Sequence, residues 1–311
     1  MGSADCSVVI PVFNERENLW CLYAHVVPIL ARMGTEVELV FVDDGSRDGS
    51  WEVLRSLQAK DSRVRPLRLT RNFGQTAAMK CGIDAARGEV IVTMDGDLQN
   101  DPEDIPRLLE KLEEGYDIVC GWRYRRQDNL WTRKIPSMLA NRLIGWLTGV
   151  QLHDYGCSLK AYRAKAIKQT PLYAEFHRFI PALATLTGAL VTEIKVTHHP
   201  RRFGQTNYTL WRTWKVAFDM VTVSLLVKFA SKPLRFFGCL ALCSMMVALA
   251  ALARSWQWYL AASGPMPQAL AGVGLLAIWL SAHLVAVGWF AELCLSTAHA
   301  RPERFIIAQG R

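Results

Sequence analysis

The chain has 311 residues, enough for one large domain or two smaller ones, and 51% of them are hydrophobic. Lys and Arg number 36 against 28 Asp and Glu, a formal net charge of +8, which suits an anionic partner: nucleic acid, an anionic membrane or a phosphorylated substrate. The eight cysteines are scattered with no Cys-x-x-Cys pair, which argues against a zinc or redox site and for a reduced compartment. The first residues enter an apolar run with no basic stretch before it, so no secretory signal is expected.

An apolar run at 6–12 predicts a strand ending at Pro11-Val12-Phe13-Asn14-Glu15, and Leu19, Leu22, Val26, Ile29 and Leu30 recur near helical spacing over 17–33. A buried strand at 37–42 ends in Asp43-Asp44-Gly45-Ser46, followed by a helix over 50–60. A strand at 64–69 ends at Thr70-Arg71-Asn72-Phe73-Gly74, and a helix over 75–86 follows. Val90-Ile91-Val92 is a short apolar run suited to a strand buried on both faces. It leads into Asp95-Gly96-Asp97-Leu98-Gln99, after which Asp101 and Pro102 open a helix. A strand at 118–121 completes an alternation that predicts a mostly parallel, doubly wound α/β sheet. No Gly-x-Gly-x-x-Gly follows the first strand and no Gly-Lys-Ser/Thr phosphate loop occurs, which argues against dinucleotide redox chemistry and P-loop hydrolysis.

Ligands of open α/β sheets sit beyond the carboxyl ends of the strands. Asp95 and Asp97, separated by a residue without a side chain, can approach one hard cation there, and the Gln99 amide could supply another oxygen. A solvated acidic turn is the plainer alternative for this motif alone. Polar or acidic residues past nearly every strand, however, are explained together by one nucleotide site.

From 122 the chain changes character. Arg123, Tyr124, Arg125, Arg126, Trp131 and Arg133 crowd one stretch, an amphipathic helix is expected over 135–147, and His153-Asp154-Tyr155-Gly156-Cys157-Ser158-Leu159-Lys160 is compact and polar. After a strand at 191–197, His198 and His199 are adjacent; neighbours on a strand point to opposite faces, so a metal is not expected there. Residues 210–229 are amphipathic and suit either a membrane interface or packing on the core. Residues 236–253 carry no charge and residues 270–291 only His283; each is long enough to cross a bilayer. His283 is expected to hydrogen-bond across the hairpin. Lys228, Lys232 and Arg235 precede the first span and Arg301, Arg304 and Arg311 follow the second, with only Arg254 between. The bias predicts both ends in the cytoplasm. The basic residues crowd these flanks and the expected site, which favours lipid and phosphate over nucleic acid.

These motifs resemble the inverting family 2 glycosyltransferases, and more narrowly the polyprenyl-phosphate glycosyltransferases, the group of dolichol-phosphate mannose synthase and the bacterial undecaprenyl-phosphate sugar transferases. The residues that carry the resemblance are Val9 to Glu15, Val42 to Ser46, Arg71 to Gln75, Asp95 to Gln99, Arg202-Phe203-Gly204 and Lys232-Pro233-Leu234-Arg235. Arg126-Gln127-Asp128 and Asp154 to Arg163 look most like the branch with the aminoarabinose transferase. The resemblance implies a GT-A nucleotide-diphospho-sugar transferase domain over 1–209, juxtamembrane helices over 210–235, a transmembrane hairpin over 236–293 and a tail over 294–311. It implies Mg2+ or Mn2+ on Asp95, Asp97 and Gln99, with Asp97 and Asp154 catalytic. Pro11, Phe13, Glu15, Asp43, Asp44, Gly74, Met94, Asp95, Gly96 and Arg202 would bind the nucleotide-sugar, and Arg123, Ser158 and Lys160 the acceptor phosphate. The family's Ser-Lys-Tyr is here Thr206-Asn207-Tyr208, so one phosphate-binding lysine is missing.

The implied reaction moves a sugar from a nucleotide-sugar to polyprenyl phosphate, with inversion, at the cytoplasmic face of a bacterial inner membrane. A uridine donor is favoured over guanosine, and a homo-oligomer, with a tetramer among its states, is expected. A polysaccharide synthase would share the acids, but its Gln-x-x-Arg-Trp motif is absent. A non-enzymatic scaffold or flippase component would have no need of the acids.

Overall fold

A computed structural model describes residues 5–124, 142, 145, 149–170, 176–185, 188–200, 232–262 and 267–298. The chain divides into two compact units, one built on the strands and helices of the first two-thirds and one on two long helices. The expected helices at 135–147 and 210–229 and the Arg202 motif lie outside the described residues, apart from isolated positions in the former.

The first unit is a seven-stranded mixed sheet between two layers of helices. β1 (Cys6–Val12) and β2 (Val37–Asp43) pair in parallel from Cys6↔Val37 to Val12↔Asp43. β3 (Val64–Arg68) continues outward from β2, and β4 (Val90–Thr93) lies on the other flank of β1, also parallel. α1 (Arg16–Arg32), α2 (Ser50–Lys60) and α4 (Ile105–Glu113) cover one face, where Val8, Ile10, Leu39 and Phe41 meet Leu19, Leu22, Leu54, Leu57 and Leu108. α3 (Gln75–Ala85) covers the other with α5 (Ala164–Gln169) and α6 (Ile180–Ala184), where Val9, Val40 and Ile91 meet Met79, Ile83, Ile167 and Ile180. Burial on both faces is why β1, β2 and β4 read as unbroken apolar runs. The chain crosses from one layer to the other between β3 and β4, so the β1–β4 boundary is the switch point at which such sheets open a ligand crevice.

Beyond β4 the sheet is less regular than the sequence predicts. β6 (Lys160–Arg163) runs antiparallel between β4 and β5 (Ile118–Arg123), with Thr93↔Lys160 and Cys120↔Lys160, and β7 (Val191–Val196) closes the edge parallel to β5. The order is β3-β2-β1-β4-β6-β5-β7.

The second unit pairs α7 (Pro233–Ala262) with α8 (Gln268–Ala298). Both are long and apolar enough to cross a membrane, with mean hydropathy 2.3 and 2.1 over their candidate spans. The contact face uses small residues: Gly274 meets Leu252, Gly288 meets Phe237, and Ala241, Ala248 and Ala251 are buried. Ser244 Oγ donates to Ala277 O at 2.8 Å and Ser281 Oγ to Ala241 O at 2.9 Å. Ser and Gly at such positions let helices approach and bond where no water competes. His283, expected to make that cross-hairpin bond, is instead exposed and stacked on Trp279, at 5.3 Å between ring centroids. Residues i and i+4 share a helix face, and that face is the outer one.

Candidate active site

Asp95 and Asp97 leave the carboxyl end of β4 at the switch point. A side chain at Gly96 would lie 3.4 Å from Pro11 O, so the chain passes close to the end of β1 here. Leu98, at φ +63°, turns the chain back, and Asp97 Oδ1 accepts Gln99 N at 3.2 Å. Asp97 is 6% exposed and Asp95 half-buried. Burial and the neighbouring Asp97 push the Asp95 carboxyl up to about 6, against the opposing pull of the Ser158 hydroxyl and the Arg123 and Arg178 cations. Two close carboxylates with insufficient compensation favour a cation or a shared proton. Gln75 Nε2, in the first turn of α3, donates to Asp95 Oδ1 at 2.7 Å. Asn100 Nδ2 donates to Ser158 Oγ at 2.8 Å, which ties the acidic loop to the segment before β6.

Asp154 lies on that same segment and reaches the acids through Arg123, whose charge acts on Asp95. Arg123 Nε and Nη2 donate to its two oxygens at 2.6 and 2.9 Å, and Gly156 N donates to Oδ1 at 3.0 Å. Such a fork is fixed in direction as well as strong, and the Asp154 carboxylate holds Arg123 above the ordinary guanidinium range despite the cost of burial. Lys160, expected at the acceptor phosphate, is instead 2% exposed in β6, with Nζ donating to Tyr155 O at 3.2 Å. Burial lowers its pKa. Ser158 lies in the acidic loop's network rather than on an open surface.

The expected nucleotide residues frame the other side. Asp44 accepts Phe73 N and Gly74 N, both at 2.8 Å, and so moulds the loop before α3. Gly45, at φ +72°, lies against that loop: a Cβ there would meet Arg71 C at 2.6 Å. Asp43 is buried, with Ser46 N at 2.9 Å from Oδ1 and Arg68 Nε at 3.2 Å from Oδ2. Asn14 N donates to Ser46 Oγ at 2.9 Å, joining the loops after β1 and β2. Glu15 accepts from Asn18 and lines, with Asn14, Arg16, Arg47 and Asp48, a cavity of about 530 Å3. Phe13 is exposed, Pro11 half-buried and Met94 buried beneath the acids. His198 and His199 pair with the metal-motif loop: Asn100 and His198 form an antiparallel bridge, and His199 N donates to Gln99 O at 2.8 Å.

Sequence reasoning missed four residues at the α3 end of the site: Gln75, Thr76, His177 and Arg178. Thr76 Oγ1 and His177 Nδ1 share a buried hydrogen bond of 2.7 Å, which locks the short helical turn Phe176–Arg178 onto α3 beside Gln75. Arg178, next along, adds its charge to Asp95. Gln75 could have been found, since it directly follows Gly74. The Phe176–Arg178 turn carries no periodic signal.

A family model for glycosyl transferase family 2 matches residues 7–170, and the chain belongs to that family. It is 42% identical over 307 residues to the dodecaprenyl-phosphate galacturonate synthase of Rhizobium johnstonii, covering 95% of this chain and 89% of the relative. It is 38% identical to the undecaprenyl-phosphate 4-deoxy-4-formamido-L-arabinose transferase of Edwardsiella ictaluri, over 96% and 92% of the two chains. The fold is that of the Mycobacterium tuberculosis glucosyl-3-phosphoglycerate synthase, solved with Mn2+, uridine diphosphate and glucosyl-3-phosphoglycerate. There the TM-score is 0.55 at 18% identity, over 71% of this chain and 79% of that one.

Proposed function

We propose that this glycosyltransferase moves a sugar from a uridine nucleotide-sugar to the phosphate of a polyprenyl phosphate, with inversion. It would do so at the cytoplasmic face of a bacterial inner membrane. The observation that carries the reading is the meeting of Asp95, Asp97 and the Arg123–Asp154 pair at one switch point. Asp95 and Asp97 fit a divalent cation: two hard oxygen donors, one pushed up to about 6 by burial and by the other's charge, which a cation would relieve. Mg2+ or Mn2+ bound there would neutralise charge on the departing nucleotide diphosphate. Gln99 would extend the donor set, and Arg202 would supply a further clamp.

On the acceptor side the nucleophile is already an anion, roughly −1.5 to −2 by analogy with a phosphorylated residue, and needs little help from a base. Both Asp154 oxygens are engaged by Arg123 and Gly156. Asp154 therefore holds Arg123 by one edge and leaves its remaining Nη N–H groups for the incoming phosphate, and in-line attack inverts the anomeric centre. The apolar helices α7 and α8 would anchor the chain where the lipid tail stays buried, and the basic residues at 228, 232, 235, 301, 304 and 311 favour the cytoplasmic orientation.

The relatives differ in the charge of the sugar they are named for, an acid in one and a neutral formamido sugar in the other. The test is transfer of radiolabelled sugar to undecaprenyl phosphate in detergent, with uridine and guanosine donors, with Mn2+, Mg2+ or chelator, and with Asp97→Asn. A lipid-linked product lost with chelator and in the variant supports the reading. Absence of both product and metal-dependent nucleotide binding would overturn the reading and favour a scaffold.

A further inference from the structure

His283 has no part in the reaction as set out above, and its place in α8 is an unfavourable one for an imidazole. Fifteen residues of α8 lie on either side of it, and the candidate span within that helix runs from Gln268 to Cys294. At about 1.5 Å per residue the ring sits roughly 16 Å from the nearer end of the span, well inside hydrocarbon about 30 Å thick. At about 100° per residue it lies some 200° round the helix from Ser281, whose Oγ bonds α7, so it points away from that helix and is exposed. The contact with Trp279 is the only interaction His283 makes among the described residues. The two rings lie within 12° of parallel, so neither donates a hydrogen bond to the other.

An imidazole in hydrocarbon with both nitrogens unbonded is costly, and ionisable side chains within membranes face another helix or a water-filled cavity. The ring stands on a single methylene and cannot reach the headgroups from that depth. Around it the side chains repeat as a seam: Leu276, Trp279, His283, Ala286 and Phe290 alternate at steps of three and four, the spacing at which one helix packs along another. All five are exposed, Leu276 and Phe290 at 69% and Trp279 at 65%. A single polar residue on such a seam fixes register and partner number. The occupant matched to this seam is a second copy of the chain. Every copy inserts with the same orientation, so its His283 lies at the same depth, and a two-fold axis normal to the bilayer brings like residue onto like. A neutral imidazole carries one donor and one acceptor, so it is its own complement, and the Trp279 N–H of the other copy, one turn away, is a further donor.

We propose that two copies of this chain pair in the membrane through the α8 seam centred on His283, with the helices parallel and the imidazoles bonded across the two-fold axis. The inference rests on the reading that α8 spans a bilayer.

Disulfide trapping of the full chain in membranes tests the pairing face directly. Oxidation with copper phenanthroline should join Ala286→Cys into a dimer about fivefold or more above the background of the native cysteines. Val285→Cys, almost as deep but some 200° round the helix from His283, should stay at that background. In liposomes diluted with lipid, energy transfer between labelled copies should show the dissociation constant rising about tenfold or more in His283→Leu. His283→Asn, which keeps a donor and an acceptor, should stay within about threefold of the wild type, and Ala286→Phe, which crowds the seam without touching His283, should also separate the copies. Equal trapping of the two cysteine variants overturns the inference, as does a dimer that His283→Leu leaves intact, or trapping of Ala286→Cys to a different membrane protein. A chain stripped from the membrane by alkaline carbonate would sink the spanning reading as well. A chain that is retained but monomeric would sink the pairing alone.

Discussion

At the scale of single residues, carboxylates of one sequence type do different work according to their partners. Glu38 is structural: it accepts Ser7 Oγ at 2.6 Å and Arg87 N at 2.6 Å and pairs with Arg65, tying β1, β2 and the chain before β4. Burial alone would raise its pKa, but those three donors outweigh it and hold the carboxyl below its ordinary value of 4.5. A depressed acid contributes stability above its unfolded pKa and loses it as pH falls through the folded one. Glu38→Gln should therefore lower the melting temperature at pH 7, by a free energy on the order of 1–3 kcal/mol for the disrupted buried network. The gap to wild type should close as pH drops below about 4. A gap that widens in acid would refute this account. Asp154, by contrast, orients Arg123. Asp154→Ala should raise the KM for polyprenyl phosphate about tenfold or more, the equivalent of roughly 1.4 kcal/mol, with a smaller change in kcat. A fall in kcat at unchanged KM would mark it as a base instead.

At the scale of elements, the site depends on how closely loops and helices approach. Gly45 combines a left-handed backbone with a contact that a methyl group would turn into a clash with Arg71. Gly45→Ala should push the 71–74 loop away, loosen the two bonds to Asp44 and weaken UDP binding, beyond the roughly 1–2 kcal/mol that a left-handed alanine costs alone. Gly82 is tighter still: its Cβ would lie 2.4 Å from Val9 Cγ1, where α3 rests on β1. Gly82→Ala should cost about 1–3 kcal/mol by overpacking, read as a lower melting temperature with UDP affinity reduced less than in Gly45→Ala. The contrast bears on what was legible beforehand. β1, β2, β4 and the acids beyond them could be read because burial on both faces leaves an unbroken apolar signature. β6 could not: four residues beginning with Lys160 and ending with Arg163 have no strand pattern of their own, and only β4 and β5 on either side make them a strand. Lys160 misled for the same reason, since a lysine in a polar stretch gives no hint that the stretch is enclosed. Arg178 was invisible because its position is set by a bond to a helix far away in sequence.

At the scale of the whole molecule, the two units obey different rules of burial. The sheet hides its apolar side chains, whereas Leu242, Leu276, Trp279, Trp289 and Phe290 of the hairpin stand outward with more than half their surface free. Outward apolar surface of that extent demands lipid or protein cover. The full chain should stay in the membrane pellet after alkaline carbonate washing, and removal of residues 233–298 should release it. Retention of the shortened chain would point to anchoring through the first unit. The inserted strand also carries a consequence for biosynthesis. A growing chain lays down β1 to β4 in order, but β4 acquires its second neighbour only when residues 160–163 have been made. Until then Val90–Thr93 is a bare, apolar sheet edge, the kind of edge that recruits stray strands. Ser158, whose hydroxyl supports Asp95, and Asp154, which holds Arg123, are missing for the same interval. A nascent enzyme is therefore both sticky and inert until late in its first unit, and a fragment that stops before residue 160 should aggregate where one reaching residue 200 does not.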